Sequence, residues 1–160
     1  MKIVITGCPG TGKTMVAKYL GKKLNLPVIN EKEFAIKHGF AELEEDEVVI
    51  DEKLLEEKLN FYIKGLKGAI LEGHILCEIK LQVDKVIVLR THPELIELRL
   101  SKRKHYSEEK IQDNVFCEGI DYCKKKALKN YAKNKIIETD SSQSVKQTGE
   151  NILKELSSIP

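Results

Sequence analysis

Arginine is scarce in this chain: Arg90, Arg99 and Arg103 are the only three among 27 basic side chains. Rigid planar donors for a phosphate or carboxylate can therefore come from three positions only, since lysine offers a flexible point charge instead. Charge imbalance is missing as well. With 27 basic against 25 acidic groups, the net charge of +2 gives no whole-molecule argument for a nucleic-acid partner. No apolar run approaches the ~20 residues of a membrane span, so no membrane partner is expected. The first strand starts at Lys2, which leaves no room for a signal peptide and points to the cytoplasm. The four cysteines, at positions 8, 77, 117 and 123, include no C-x-x-C pair. That spacing suggests neither a zinc site nor a disulfide framework. Internal repeats, low-complexity tracts and Gly/Ser-rich linkers are lacking too. One domain over residues 1–160 is the expectation, and 41% apolar content is enough for a real core.

What is present is concentrated near the amino end. Residues 7–14 read Gly-Cys-Pro-Gly-Thr-Gly-Lys-Thr and match every fixed position of the phosphate-binding loop G-x-x-x-x-G-K-[ST]. Lys2–Thr6 before it is a β-branched run suited to a buried strand. After it, Val16, Tyr19, Leu20 and Leu24 have the spacing of one helical face. In that setting the glycines, Gly10 and Gly12 among them, let the backbone approach a polyphosphate, and the helix N-terminus stabilises its charge. Lys13 reaches the β- and γ-phosphates, and the Thr14 hydroxyl is a magnesium ligand. The pattern predicts binding of a nucleoside triphosphate with Mg²⁺. Cys8, inside the loop, is read as a small loop residue without a redox role.

Further elements follow in alternation. Pro27–Asn30 reads as a strand and Glu31–Lys37 as a short helix ended by Gly39. Residues 41–47 carry five acidic groups, Glu42, Glu44, Glu45, Asp46 and Glu47, and read as a solvated segment. Asp51 caps the next helix. Strands are expected at 68–72, 83–89 and 135–139. Helices are expected at 93–102, at 145–156, and as one long helix over 107–132. Strands alternating with helices give an α/β protein with a mainly parallel sheet, whose ligands lie outside the carboxyl ends of the strands.

Three segments are predicted to meet at that edge: the loop, Glu72 and Arg90. A carboxylate that ends an apolar strand suits Glu72 to hold magnesium, directly or through water. His74, two residues on, suits orientation or deprotonation of a water. Arg103, beside Lys104-His105-Tyr106, is the candidate lid arginine. Arg90 is placed to contact phosphate or a carboxylate, while Arg99, mid-helix, is read as a surface ion-pair partner of Glu94, Glu97 or a residue elsewhere. The lysines at 124–126, 129, 133 and 135 are read as a solvated helical face before an RNA contact.

Taken together, several stretches resemble the adenylate kinase isoenzyme 6 group, small nucleotide kinases and ATPases linked to ribosome maturation. They are residues 7–14, Val28-Ile29-Asn30, Leu71-Glu72-Gly73-His74, Val88-Leu89-Arg90-Thr91 and Tyr106 to Val115, with Cys117-Glu118 close behind. The resemblance runs in order over nearly the whole chain. It implies a three-layer P-loop nucleoside-monophosphate-kinase fold with a central parallel sheet of about five strands. It also implies a monophosphate-binding insert at about 30–50 and a short lid at about 103–113. The implied activity is phosphoryl transfer between ATP and AMP or a related monophosphate, with ATP hydrolysis on the side. Gly10, Gly12, Lys13, Thr14 and Met15 would line the ATP phosphates with Arg103. Lys13, Glu72, His74 and Arg103 would be catalytic, and Thr14 and Glu72 would be the metal side. A small-subunit ribosomal protein is the implied partner, and the acidic run at 42–47 suits a basic one. An alternative follows from the same resemblance: an ATPase assembly factor with little metabolic kinase role. A kinase for a nucleoside or shikimate would use the same loop, but no matching acceptor pattern is seen.

Overall fold

A computed structural model describes residues 1–45 and 47–158. Strand and helix alternate as the hydrophobic pattern predicts. β1 (Lys2–Thr6) leads through the glycine-rich turn to α1 (Lys13–Leu24), then to β2 (Val28–Asn30) and α2 (Glu31–Lys37). A hairpin of β3 (Ala41–Glu44) and β4 (Glu47–Ile50) precedes α3 (Glu52–Lys64) and β5 (Ala69–Glu72). β6 (Lys85–Arg90), α4 (Pro93–Ser101), α5 (Glu108–Gly119), α6 (Tyr122–Asn130), β7 (Ile136–Asp140) and α7 (Val145–Ser157) complete the chain.

Five strands pair in the order β2-β5-β1-β6-β7, and all four pairings are parallel. Because side chains alternate along a strand, each buried strand feeds both faces of the sheet. Ile3, Ile5, Ile70, Ile87 and Leu89 join one core with Val16 and Leu20 of α1 and Ile152 of α7. Val4, Leu71, Val86 and Val88 join the other, with Leu55, Leu59 and Ile63 of α3 and Ala127 of α6. The three-layer α/β fold expected from the chain is the one observed. Its carboxyl edge gathers the ends of β1, β5 and β6, together with Asn30 and Asp140.

The structure differs from expectation in two places. The acidic segment is solvated as expected, with Glu42, Glu44, Glu45 and Glu47 exposed, and it forms the antiparallel β3–β4 hairpin, which was not expected. Asp46 lies outside the described residues. Within α4, Leu98 faces solvent, and Ile96 and Leu100 supply the buried side.

The long helix expected over 107–132 is two helices, α5 and α6. Asp121 sits between them in the left-handed region at φ 59°, where an aspartate is tolerated but a helix cannot continue. Arg90 holds the break. Its guanidinium donates to the carboxylates of Glu118 and Asp121, to Glu138 at 3.2 Å, and to the Glu118 carbonyl at 3.3 Å. Arg90 thus contacts carboxylates and tethers the α5–α6 corner to β6. Glu118 is only 3% exposed, so Arg90→Ala would strand a buried carboxylate. Urea denaturation should show a loss of about 3 kcal/mol, the cost of removing one partner of a buried pair.

Candidate active site

The phosphate-loop turn depends on two left-handed glycines. Gly10 (φ 91°) is crowded as well as left-handed, because a Cβ there would lie 3.2 Å from Ile96 and from Leu100, tighter than most such contacts. Gly12 (φ 85°) has open space and is required only by its backbone angle. Gly12 is also the N-cap of α1 and makes no side-chain capping bond. The first-turn N–H groups of α1 therefore keep no cap of their own, which is the state a bound anion satisfies.

Three donors converge on the Cys8 carbonyl: the Thr11 hydroxyl at 2.8 Å, the Thr11 N–H at 3.3 Å and the Lys13 ammonium at 3.2 Å. Desolvation holds the Lys13 ammonium below the usual lysine range, with Glu31 and Glu72 among the charges acting the other way. Met15, in contrast, is 56% exposed. Its side chain does not line the cleft that Lys13 and Thr14 share.

Glu72, the last residue of β5, is buried. Its Oε1 accepts from the Thr14 hydroxyl at 3.0 Å and from Asn30 Nδ2 at 2.6 Å. Asn30 Oδ1 in turn accepts from the Glu33 N–H at 2.9 Å and caps α2. One side chain therefore orients the carboxylate and starts the neighbouring helix.

Beneath the Glu72-Gly73-His74 turn lies Glu31, at 4% exposure. Its two oxygens accept from the Ile75 N–H at 3.2 and 3.1 Å, and Oε1 lies 3.4 Å from His74 Nδ1. A Cβ on Gly73 would stand 2.0 Å from Glu31 Cδ, so the turn is shaped around that carboxyl. Burial pushes the Glu31 carboxyl up to about 7. Desolvation, with the neighbouring Lys13 and Lys32 charges, pushes the half-exposed His74 imidazole down to about 4. At neutral pH the histidine is uncharged, and its contact with Glu31 is not an ion pair.

Lys13, Thr14, Glu72, His74 and Arg103 line one cleft of about 250 Å³. Arg103 lies 5.8 Å from the Tyr106 ring centroid, and Asn114 Nδ2 donates to the Tyr106 hydroxyl at 2.8 Å. The cleft shares Glu31, Lys32, His74 and Tyr106 with a cavity of about 520 Å³, which Val48, Lys104 and His105 also line. Lys110 Nζ reaches Glu47 Oε1 at 2.6 Å and joins α5 to the hairpin across that cavity. All the predicted side-chain candidates except Met15 thus meet at one place, with Gly10 and Gly12 in the backbone beside them.

Residues 3–121 match a family described as an AAA domain. A protein of Thermococcus kodakarensis named "Putative adenylate kinase" is 36% identical over 98% of this chain and 83% of its own length. One of the same name from Pyrococcus furiosus is 37% identical over 98% and 82%. The chain belongs to this adenylate-kinase-like family. Among solved structures, deoxyadenosine kinase from M. mycoides superposes with a TM-score of 0.68 at 19% identity, covering 99% of this chain and all of that one. Shikimate kinase from Aquifex aeolicus gives 0.66 at 18%, over 99% and 97%. At those identities the likeness is one of fold.

Three site residues escaped the sequence reading. Arg99 is not a surface ion-pair partner. It donates to the Gly10 carbonyl at 3.2 Å and the Ser141 carbonyl at 3.0 Å, clamping the phosphate loop to the exit of β7. The scarcity of arginine was the available signal, since each one carries a task that lysine fills poorly. Asn30 and Glu31 had no comparable signal, because a polar pair at a helix start reads as capping alone.

Glu31 and His74 oppose each other in pH dependence. With a folded value near 7 against about 4.5 unfolded, Glu31 favours the fold below about pH 4.5 and loses that contribution as pH rises through 7. His74, depressed from 6.5 to about 4, favours the fold above 6.5 and loses that contribution as pH falls through 4. In His74→Gln, urea-measured stability should fall by up to about 3 kcal/mol from pH 4.5 to 7.5 relative to the double variant with Glu31→Gln. In Glu31→Gln alone it should rise over the same interval.

Proposed function

We propose that the protein transfers the γ-phosphoryl group of Mg-ATP to a nucleoside monophosphate, with AMP the first candidate. The supporting observation is that the cleft lined by Lys13, Thr14, Glu72, His74 and Arg103 is continuous with a second cavity large enough for an acceptor nucleotide. The adenylate kinase name carried by the archaeal relatives agrees with it.

The roles follow from the geometry. The uncapped first turn of α1 and the loop amides bind the polyphosphate. Lys13 leaves the Cys8 carbonyl and neutralises the β- and γ-oxygens, and its desolvation strengthens that interaction. The Thr14 hydroxyl and Glu72 carboxylate, 3.0 Å apart, form the kind of small oxygen pair that fits magnesium, which keeps most of its waters and takes few protein ligands. That ion, when bound, supplies charge neutralisation between the β- and γ-phosphates. Arg103 adds a planar donor from the lid side, and Lys32, Lys104 and His105 offer positive or donor groups to the acceptor phosphate. Catalysis is thus positioning and charge compensation in a site from which closure excludes water. Neutral His74, supported by Glu31, orients a water when no monophosphate is present, which yields ATP hydrolysis.

A second reading, an ATPase assembly factor for the small ribosomal subunit, draws on the hairpin. Its carboxylates are exposed, and Leu43 at its centre is 74% exposed, a surface suited to a basic ribosomal protein. Charge-neutral Gln at Glu42, Glu44 and Glu45 separates the two: loss of that binding with AMP phosphorylation intact would favour the second role.

ADP formation from Mg-ATP, measured against a panel of nucleoside monophosphates, should rise sharply with at least one of them. Lys13→Ala should lower kcat by about 100-fold or more while the melting temperature holds. ADP formation that no monophosphate stimulates would reject the kinase reading.

A further inference from the structure

Three thiols are gathered in the core beneath the segments that form the site. Cys8, in the phosphate loop, and Cys123, on α6, bring their sulfurs to 3.7 Å across 115 residues of sequence. Cys77, at the turn after β5, donates to the His74 carbonyl at 3.1 Å. All three are buried in one core cluster. No disulfide joins them. A packed core needs only small apolar side chains here, whereas this arrangement pairs a loop thiol with a second thiol from another element.

We propose that Cys8 and Cys123 are an oxidisable dithiol, and that a hydroperoxide converts them to a disulfide that weakens nucleotide binding by the phosphate loop. This rests on the reading of that loop as a polyphosphate site. Cys8 is the attacking group: it neighbours the open cleft, and its contact with the Cys123 sulfur at 3.7 Å holds it below the ordinary cysteine range, while Cys123 itself is pushed up. The Cys8 thiolate attacks the terminal oxygen of the hydroperoxide, the O–O bond breaks, and the alcohol, or water from hydrogen peroxide, leaves with the proton. The resulting sulfenic acid is attacked by the Cys123 sulfur. An S–S bond forms, the S–O bond breaks, and hydroxide departs with the Cys123 proton as water. Two thiols lose two electrons and the hydroperoxide gains them. Pro9, the next residue after Cys8, lines the open cleft, so a molecule as small as hydrogen peroxide has a short path.

The consequence for binding comes from what Cys8 carries. Its carbonyl anchors both the Thr11 hydroxyl and the Lys13 ammonium. Closing the sulfurs from 3.7 Å to about 2.05 Å requires one side to move. α6 is pinned at both ends, by Asp121 to Arg90 and by Asn130 Nδ2 to the Cys77 carbonyl at 2.9 Å. Arg99 clamps the loop at Gly10, so the displacement falls on Cys8 and Pro9 before it, and the seat of Lys13 at the Cys8 carbonyl shifts with them. By linkage, bound nucleotide opposes the oxidation as strongly as the disulfide opposes the nucleotide.

Hydrogen peroxide treatment of the intact protein, read by non-reducing peptide mass spectrometry and by ADP calorimetry, tests this. A Cys8–Cys123 cross-linked peptide should appear, ADP affinity should fall about tenfold or more, and dithiothreitol should restore it. Saturating Mg-ADP should slow the cross-linking. Cys123→Ala and Cys123→Ser, two variants in case one packs poorly, should bind ADP normally and stay insensitive to peroxide, while Cys77→Ala should remain sensitive. Absence of the cross-link, a cross-link without loss of affinity, or equal sensitivity in the Cys123 variants overturns the proposal. Failure of the reduced wild type to bind ADP overturns the polyphosphate reading instead, a result that cross-link mapping keeps separate.

Discussion

The hydrogen bond from Thr14 to Glu72 joins the first turn of α1 to the end of β5, and the arrangement of the edge depends on that junction. A carboxylate this deeply buried is unfavourable unless its oxygens are occupied. Thr14 and Asn30 both donate to its Oε1, and in doing so they fix three consecutive neighbours in the sheet, β2, β5 and β1, at their carboxyl ends. The strand order matters here. With β1 between β5 and β6, the loop leaving β1 must pass directly beside Glu72, and the site arises where the chain reverses direction across the sheet.

Around that junction the protein concentrates groups whose ordinary charge states are disfavoured. Lys13 and Glu31 are both desolvated, and His74 stands next to two ammonium groups. None of these is ideal for folding stability. A polyanion placed against Lys13 would favour its charged form and offset its lost hydration, while it would hold the Glu31 carboxyl still further towards its protonated form. Arg99 and Arg90, by contrast, are structural. They meet backbone carbonyls and carboxylates, and they hold the loop and the α5–α6 corner in place.

Much of this was readable in the chain. The β-branched run before Gly7, the glycines of the loop and the amphipathic face of α1 agree on one local structure, and local agreement of that kind is seldom overridden. Glu72 and His74 were visible because a carboxylate at the end of an apolar strand is unusual. What escaped depended on partners distant in sequence. The break between α5 and α6 comes from Asp121 meeting Arg90, and nothing in the helical periodicity of 107–132 announces a left-handed residue there. Arg99 likewise looked like any helical arginine, because its acceptors are backbone carbonyls, which every residue possesses. The hairpin was hidden by its charge: Leu43 between two glutamates, and the short run Val48-Val49-Ile50, make a weak strand pattern when five acidic residues crowd it.

The tie between Lys110 and Glu47 joins the hairpin to α5 across the cavity. Both side chains are partly exposed, so water screens the contact. Dissolved ions shorten the reach of each charge to about 8 Å at physiological strength, so the surrounding electrolyte modulates how firmly this contact spans the cavity.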